Sequence, residues 1–242
     1  MRLLISVASG IEASAALAGG ADLIDAKDAH AGALGPVAPA VLREIHAVVA
    51  GARPVTAALG DADDEESIER AARIYVAAGA ALVKIGFAGI ANGCQVAALI
   101  AATVRGASAA GGGVVAVAYA DAAPSLPPAS LIDIAAHAGA QGLLLDTCNK
   151  SGPGLRELVD PAVLAALVAD AHNAGLFVAL AGKLSPHDLT LVRGTGADVA
   201  GVRGAPCEGG RTGRVTADRV AALRAVLGTD AATCSETMLH RV

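Results

Sequence analysis

The sequence predicts a single (β/α)8 barrel, on three observations. Eight apolar, strand-like runs recur at intervals of roughly 30 residues, with helically spaced segments between them. Several helical segments end alike, in an alanine-rich turn, a glycine able to take the left-handed cap, and a strand. No linker or low-complexity stretch divides the 242 residues, a length within the range of one large α/β barrel. A doubly wound sheet is the competing architecture, but no GxGxxG follows the first strand and eight near-equal units fit closure better.

In chain order the runs are "RLLISVA" (2–8), "LIDAK" (23–27), "PVTAALG" (54–60), "LVKIGF" (82–87), "VVAVAYAD" (114–121), "GLLLDT" (142–147), "FVALAGK" (177–183) and "DVAGVRG" (198–204). Each is short, apolar and bounded by turn residues, as buried parallel strands are. "EESIERAARIYVAAGA" and "PAVLAALVADAHNAG" show the spacing of helices lying between them. The recurrent helix-to-strand junctions are "ALAGGADLI", "VAAGAALVKI", "AHAGAQGLLL" and "AHNAGLFVA". Beyond Gly228 the stretch "GTDAATCSETMLHRV" loses the pattern, so the barrel is expected over 1–228 with a loosely ordered tail over 229–242.

Composition narrows the function classes. Hydrophobic residues make up 54% of the chain, but much of that is alanine, with no Trp, two Phe and two Tyr. Such a core relies on close approach of small residues and on Leu, Ile and Val. A chain of this length buries about 70% or more of its unfolded surface and needs no disulfide or metal staple. A net charge of −5 with no basic run argues against nucleic acid. The opening "MRLLISVASG" reads as neither a signal peptide nor a membrane span. Cys94, Cys148, Cys207 and Cys234 lie far apart with no CxxC pair, so no structural zinc is expected, and reduced thiols in a cytosolic protein are the simplest reading.

The lysines carry the chemistry. The chain has four, Lys27, Lys84, Lys150 and Lys183, against fourteen arginines. Each falls at or just past the end of a proposed strand: the second, fourth, sixth and seventh. That is the face on which barrel enzymes keep their active sites. Arginine cannot replace lysine where a neutral amine is needed, because guanidinium stays protonated. A lysine can be brought from about 10.4 toward 7–8 by burial or a neighbouring cation, and then attack a carbonyl to form a Schiff base. Alternation puts Leu23, Asp25 and Lys27 on one face, so acid and amine both point into the barrel. Lys84 shares a face with Leu82 and Gly86, a glycine expected to leave room for substrate. Asp146 ends the sixth strand and Lys150 follows it in the loop.

Each residue also has a plainer reading. Lys27 would close a salt bridge with Asp25 or Asp28, Lys84 would snorkel at the rim, and Lys150 would be a solvated loop residue. Lys183 would bind phosphate or simply be exposed. Barrels often hold phosphate with the loops after strands seven and eight. Here those loops are "AGKLSP" and "VRGAPCEGGRTGR", where Gly182, Lys183, Gly204, Gly209 and Gly210 let backbone amides approach an anion and Arg203 and Arg211 add charge-assisted bonds. An ordinary flexible loop is the alternative. The six histidines read as surface or core residues, with His30 the exception to watch, and Cys207 as a small buried residue rather than a nucleophile.

With these residues placed, the chain resembles the (5-formylfuran-3-yl)methyl phosphate synthase family of the methanofuran pathway, found in methanogenic archaea and methylotrophic bacteria. The matching stretches are "GGADLIDAKDAHAGALG", "TAALGD", "VKIGF", "VAYADA", "LLLDT" with Lys150 beyond it, "LAGKL" and "GVRGAPCEGGRTGR", in order through almost the whole chain. The resemblance implies a class I aldolase-like barrel that condenses two glyceraldehyde 3-phosphate molecules to 4-(hydroxymethyl)-2-furancarboxaldehyde phosphate, with loss of one phosphate and two waters. It implies Lys27 as the Schiff-base residue and Lys84 as the proton acceptor, with Asp25, Asp146 and Lys150 at other active-site positions; the role of Lys183 is not taken from it and rests on the reading of its loop alone. No cofactor or metal is expected, since an iminium is its own electron sink. The alanine-rich composition suits a bacterial host of high genomic GC, and the resemblance implies a methylotroph. A Schiff-base aldolase of the deoxyribose-phosphate type, a phosphate-binding isomerase and a non-catalytic barrel binding a phosphorylated metabolite are the rival readings. The partner expected is a small triose phosphate, with neither nucleic acid nor membrane, and alanine-rich helix faces hint at a homo-oligomer.

Overall fold

The computed structural model describes residues 1–228, so the tail expected to lose order lies outside the described residues. Eight parallel strands close a barrel in sequence order: β1 (Arg2–Val7), β2 (Leu23–Ala26), β3 (Val55–Asp61), β4 (Leu82–Gly86), β5 (Gly113–Tyr119), β6 (Gly142–Asp146), β7 (Phe177–Leu180) and β8 (Val199–Val202). Closure is made by β8 on β1, from Arg2↔Val199 to Ile5↔Val202. The (β/α)8 expectation is therefore met, with strand starts within one residue of those read from the sequence. The two strands expected to run through Lys183 and Gly204 stop earlier, at Leu180 and Val202.

Around the barrel lie α1 (Gly10–Ala18), α2 (Pro39–Val49), α3 (Glu65–Ala77), α4 (Gly93–Ser108), α5 (Pro128–His137), the short α6 (Leu155–Leu158), α7 (Pro161–Asn173), α8 (Pro186–Gly194) and α9 (Ala217–Leu227). Side-chain caps start several of them: Asp64 accepts from Glu66 N and Ser67 N, Asn92 from Cys94 N and Gln95 N, and Asp160 from Ala162 N. The junction glycines foreseen after α3 and α7 do take positive φ, 113° at Gly79 and 82° at Gly175. Two features were not foreseen: a 3-10 turn over Ala29–Ala31, and a small antiparallel ribbon, β9 (Cys207–Glu208) with β10 (Arg214–Val215), inside the loop after β8. Among the described residues no helix is long and apolar enough to cross a membrane.

Alternation along each strand makes two cores. Outward residues such as Leu3, Ile5, Ile24, Val83, Ile85, Leu143 and Leu145 pack beneath the helices. Inward residues Leu23, Leu82, Val115, Leu144 and Val199 fill the barrel floor. Alanine serves the outer layer: Ala13, Ala16, Ala72, Ala102, Ala107, Ala135 and Ala171 are buried on helix faces, bringing helices close to strands and to one another. The tightest approach is between α3 and α4, where a Cβ on Gly106 would sit on the Glu69 carbonyl.

Gly106→Ala is therefore expected to lower stability by about 1–3 kcal/mol, an overpacking cost. Gly194→Ala, where an added Cβ meets no atom within 4 Å, is expected to be neutral. Urea unfolding of the two variants checks the contrast.

Candidate active site

At the C-terminal ends of the strands the barrel opens into a cavity of about 400 Å³, within the range of small-molecule sites. The strands position its lining in layers. The apolar floor carries Leu4, Leu23, Leu82 and Leu144; two residues further along the same strands come Ser6, Asp25, Lys84 and Asp146. All four lysines line the cavity.

Asp25 is 0% exposed and Lys84 4%. The two form a buried ion pair through Asp25 Oδ1. The same oxygen accepts from Thr56 Oγ1 at 2.7 Å, and Oδ2 accepts from Ser6 Oγ at 2.9 Å. Burial alone would raise the Asp25 carboxyl, but the charges of Lys84 and Lys27 and the donated hydrogen bonds hold it below the usual carboxylate range. Burial pushes the Lys84 amine down; the positive charge of Lys27 adds to this, and Asp25 opposes it. Lys84 is thus not a snorkelling rim residue.

Lys150 pairs with Asp146 at 2.6 Å and reaches Thr147 Oγ1 at 3.4 Å. Its amine is pushed down by burial and by the charge of Lys27, against the pull of Asp146. Lys27 differs from both. Its backbone N donates to Val7 O at 2.9 Å, extending the β2 ladder and keeping the side chain on the inner face. Among the described residues its Nζ makes no hydrogen bond or ion pair, alone among the four lysines. The salt bridge that the sequence allowed is not formed. Asp25 faces Lys84, and Asp28 caps the following turn by accepting from His30 N at 2.8 Å.

The phosphate-loop residues divide. Gly182 (φ 105°) and Lys183 (φ 58°) are both left-handed, turning the chain sharply out of β7. Gly182, Lys183, Gly204 and Ala205 line the cavity, and their backbone N–H groups have no partner among the described residues. Consecutive free amides of this kind form an anion-binding nest. The Lys183 side chain, exposed, donates to Gly152 O. Arg211 reaches across the mouth to Ala29 O and, at 2.6 Å, to Gly32 O.

Arg203 corrects the sequence expectation. Its five N–H donors are all engaged, with Glu12 bidentate, Ser6 O at 3.0 Å, Arg211 O at 3.0 Å and Gly213 O at 2.9 Å. None is left for a phosphate; the residue ties the β8 loop to β1 and α1. Gly209 does not line the cavity; Gly210 does. Gly86 is corrected as well. A Cβ there would meet Asp61 Oδ1 and, at 2.6 Å, Tyr119 Oη, so this glycine makes room for the Tyr119–Asp61 hydrogen bond of 3.0 Å rather than for substrate. Cys207 is buried and its thiol donates to Arg203 O at 2.9 Å, with burial pushing it up, as befits a packed residue.

Sequence reasoning missed Ser6, Thr56, Glu12, Asp61 and Tyr119. For Ser6 and Thr56 a signal existed. Each is a lone hydroxyl in an otherwise apolar strand, and the register Ser6↔Asp25 and Asp25↔Thr56 places both beside the carboxylate. Among the described residues no group of three or more His, Cys, Asp or Glu side chains is arranged to hold a metal ion.

Residues 3–224 match the model of a family described as 4-HFC-P synthase. A (5-formylfuran-3-yl)methyl phosphate synthase of Methanopyrus kandleri is 38% identical over 218 residues, covering 88% of this chain and 92% of that protein. One of Methanocaldococcus jannaschii is 35% identical over 231 residues, covering 93% and 98%. Among solved structures, a 3-hexulose-6-phosphate synthase superposes with a TM-score of 0.64 at 24% identity, covering 94% of this chain and 100% of that one, a likeness of fold.

Glu12→Leu or Arg203→Met alone, leaving a buried charge unpaired, is expected to cost about 3–5 kcal/mol. Glu12→Leu combined with Arg203→Met should recover part of it. Denaturant unfolding of the three variants measures the coupling.

Proposed function

This chain belongs to the 4-HFC-P synthase family, and we propose that it condenses two glyceraldehyde 3-phosphate molecules through a Schiff base on Lys27. The product is 4-(hydroxymethyl)-2-furancarboxaldehyde phosphate, formed with loss of one phosphate and two waters. The observation that carries this reading is the Lys27 amine, unpartnered in an enclosed mouth beside two lysines that are each held by a carboxylate. An aldehyde entering the cavity meets one lysine amine held by neither a salt bridge nor a hydrogen bond among the described residues. The curated relatives' name describes the same furan phosphate.

Lys27 Nζ adds to the carbonyl carbon of one triose phosphate, and water leaves as the iminium forms. The iminium draws electrons from the adjacent carbon, so the C–H bond there can break without a metal or other cofactor. Lys84, its amine depressed by burial, takes that proton with Asp25 as counter-ion. The resulting enamine attacks the aldehyde of the second molecule. The Asp146–Lys150 pair protonates departing oxygens, and hydrolysis of the imine releases Lys27. Loss of phosphate and water drives toward the aromatic ring. Phosphate oxygens are held by the free amides of the β7 and β8 turns, with Lys183, Lys150 and Arg211 supplying positive charge. The enzyme is taken to act in the cytoplasm on this small substrate.

Borohydride added with glyceraldehyde 3-phosphate should fix an adduct on Lys27, located by peptide mass spectrometry, while untreated enzyme accumulates a furan chromophore. An adduct on Lys84, or an open-chain aldol in place of the furan, would overturn the assignment. Lys27→Arg keeps the charge but cannot form the imine, and turnover should fall on the order of a thousandfold or more.

A further inference from the structure

We propose that Ser6 and Thr56 are positioning residues that keep Lys27 free: their hydroxyls occupy the Asp25 carboxylate, so that it does not capture the amine two residues along its own strand. Its catalytic meaning rests on the reading of Lys27 as nucleophile; its geometry does not.

Asp25 and Lys27 share a face at a separation of about 6.5–7 Å along the strand. A lysine stem easily folds back over that distance, and an Asp-x-Lys pair in an enclosed site would be expected to close. It does not close here because the carboxylate is held from three other strands. Lys84 on β4 and Thr56 on β3 take Oδ1, and Ser6 on β1 takes Oδ2. A carboxylate offers about four lone-pair positions, so three are filled and the plane of the group is set. Ser6 and Thr56 are buried, lie in register with Asp25, and direct their side-chain hydroxyls to no other group.

Other charged groups share the cavity with Lys27: Lys84 on β4, Asp146 at the end of β6, Lys150 in the loop after it, Lys183 after β7 and Arg211 between β9 and β10, while Asp28 follows in the turn. Lys150 and Thr147 N, at 2.7 Å, take Oδ1 of Asp146, and His30 N takes Oδ1 of Asp28. Asp25 is the carboxylate with donors on both oxygens, two residues from Lys27 on the same strand, so its release would place a new counter-ion beside the amine. Removing the Ser6 hydroxyl bares Oδ2 on the cavity wall, and an unpartnered carboxylate oxygen is costly unless water or a neighbouring donor replaces the lost bond. The unpaired donor within reach is Lys27 Nζ. Such a pair favours the ammonium form, which neither acylates nor attacks a carbonyl.

The test is trace acetylation of the full-length, substrate-free protein with acetic anhydride across pH, with Lys27 quantified by peptide mass spectrometry. In Ser6→Ala labelling of Lys27 at neutral pH should slow roughly tenfold. Ser6→Thr, which keeps a hydroxyl, should stay at the wild-type value. Thr56→Val and its partner Thr56→Ser are run in parallel, so that a misfolded alanine variant does not remove the test. Folded Ala and Val variants with an unchanged rate of Lys27 labelling would overturn the proposal; a purely structural role would lower stability without changing that rate. If labelling shifts but the pH profile of turnover does not, the positioning role stands and Lys27 loses its place as nucleophile.

Discussion

The ion pair between Asp25 and Lys84 is the constraint on which the site depends. A carboxylate at 0% exposure is tolerated because two lysine charges and two hydroxyl donors replace the water it lost. The pair sits directly on the aliphatic floor of the barrel, where screening is weak and each neighbouring charge acts at full strength. Because Asp25 is committed to Lys84, Lys27 is left with cationic neighbours and no counter-ion in contact. One carboxylate thus differentiates two amines, one held and one free.

Around this centre the mouth is tied shut by contacts far apart in sequence. Glu12 and Arg203 join the start of α1 to the end of β8, and the same guanidinium holds the carbonyls of Arg211 and Gly213. Arg211 in turn crosses to the turn that follows Lys27. The ribbon after β8 is thereby coupled to the segment carrying the free amine. On the opposite rim, Tyr119 and Asp61 bridge the ends of β5 and β3 over Gly86. Lys183, Arg211 and the open amides lie on the side of β7 and β8, while Asp61 and Asp121 lie near β3 and β5 without lining the cavity.

How much of this was legible follows from the physics of each signal. Strand alternation is local, so the inward placement of Asp25, Lys27 and Lys84 was readable from spacing. The β7 end was not. "FVALAGK" is apolar enough to continue as a strand, and only the packing of Gly182 against Thr147 and Leu155 shows where the chain turns. Arg203 carried the same type of ambiguity. An arginine in a glycine-rich loop suits an anion, and nothing near it in sequence reveals Glu12, whose carboxylate lies 191 residues away. Gly86 was misjudged because its neighbour in space, Tyr119, comes from the next strand of the barrel.

By itself, then, the sequence determined the closed barrel, the face carrying the chemistry and the residue types placed there, because hydrophobic period and the rarity of lysine are properties of the linear chain. Which amine is free, which arginine is occupied and which glycine faces a side chain rather than a ligand were decided only by tertiary structure. Those outcomes depend on pairing between groups on different strands, and a carboxylate's choice among several cations within reach is a matter of distance and burial rather than of spacing along the chain.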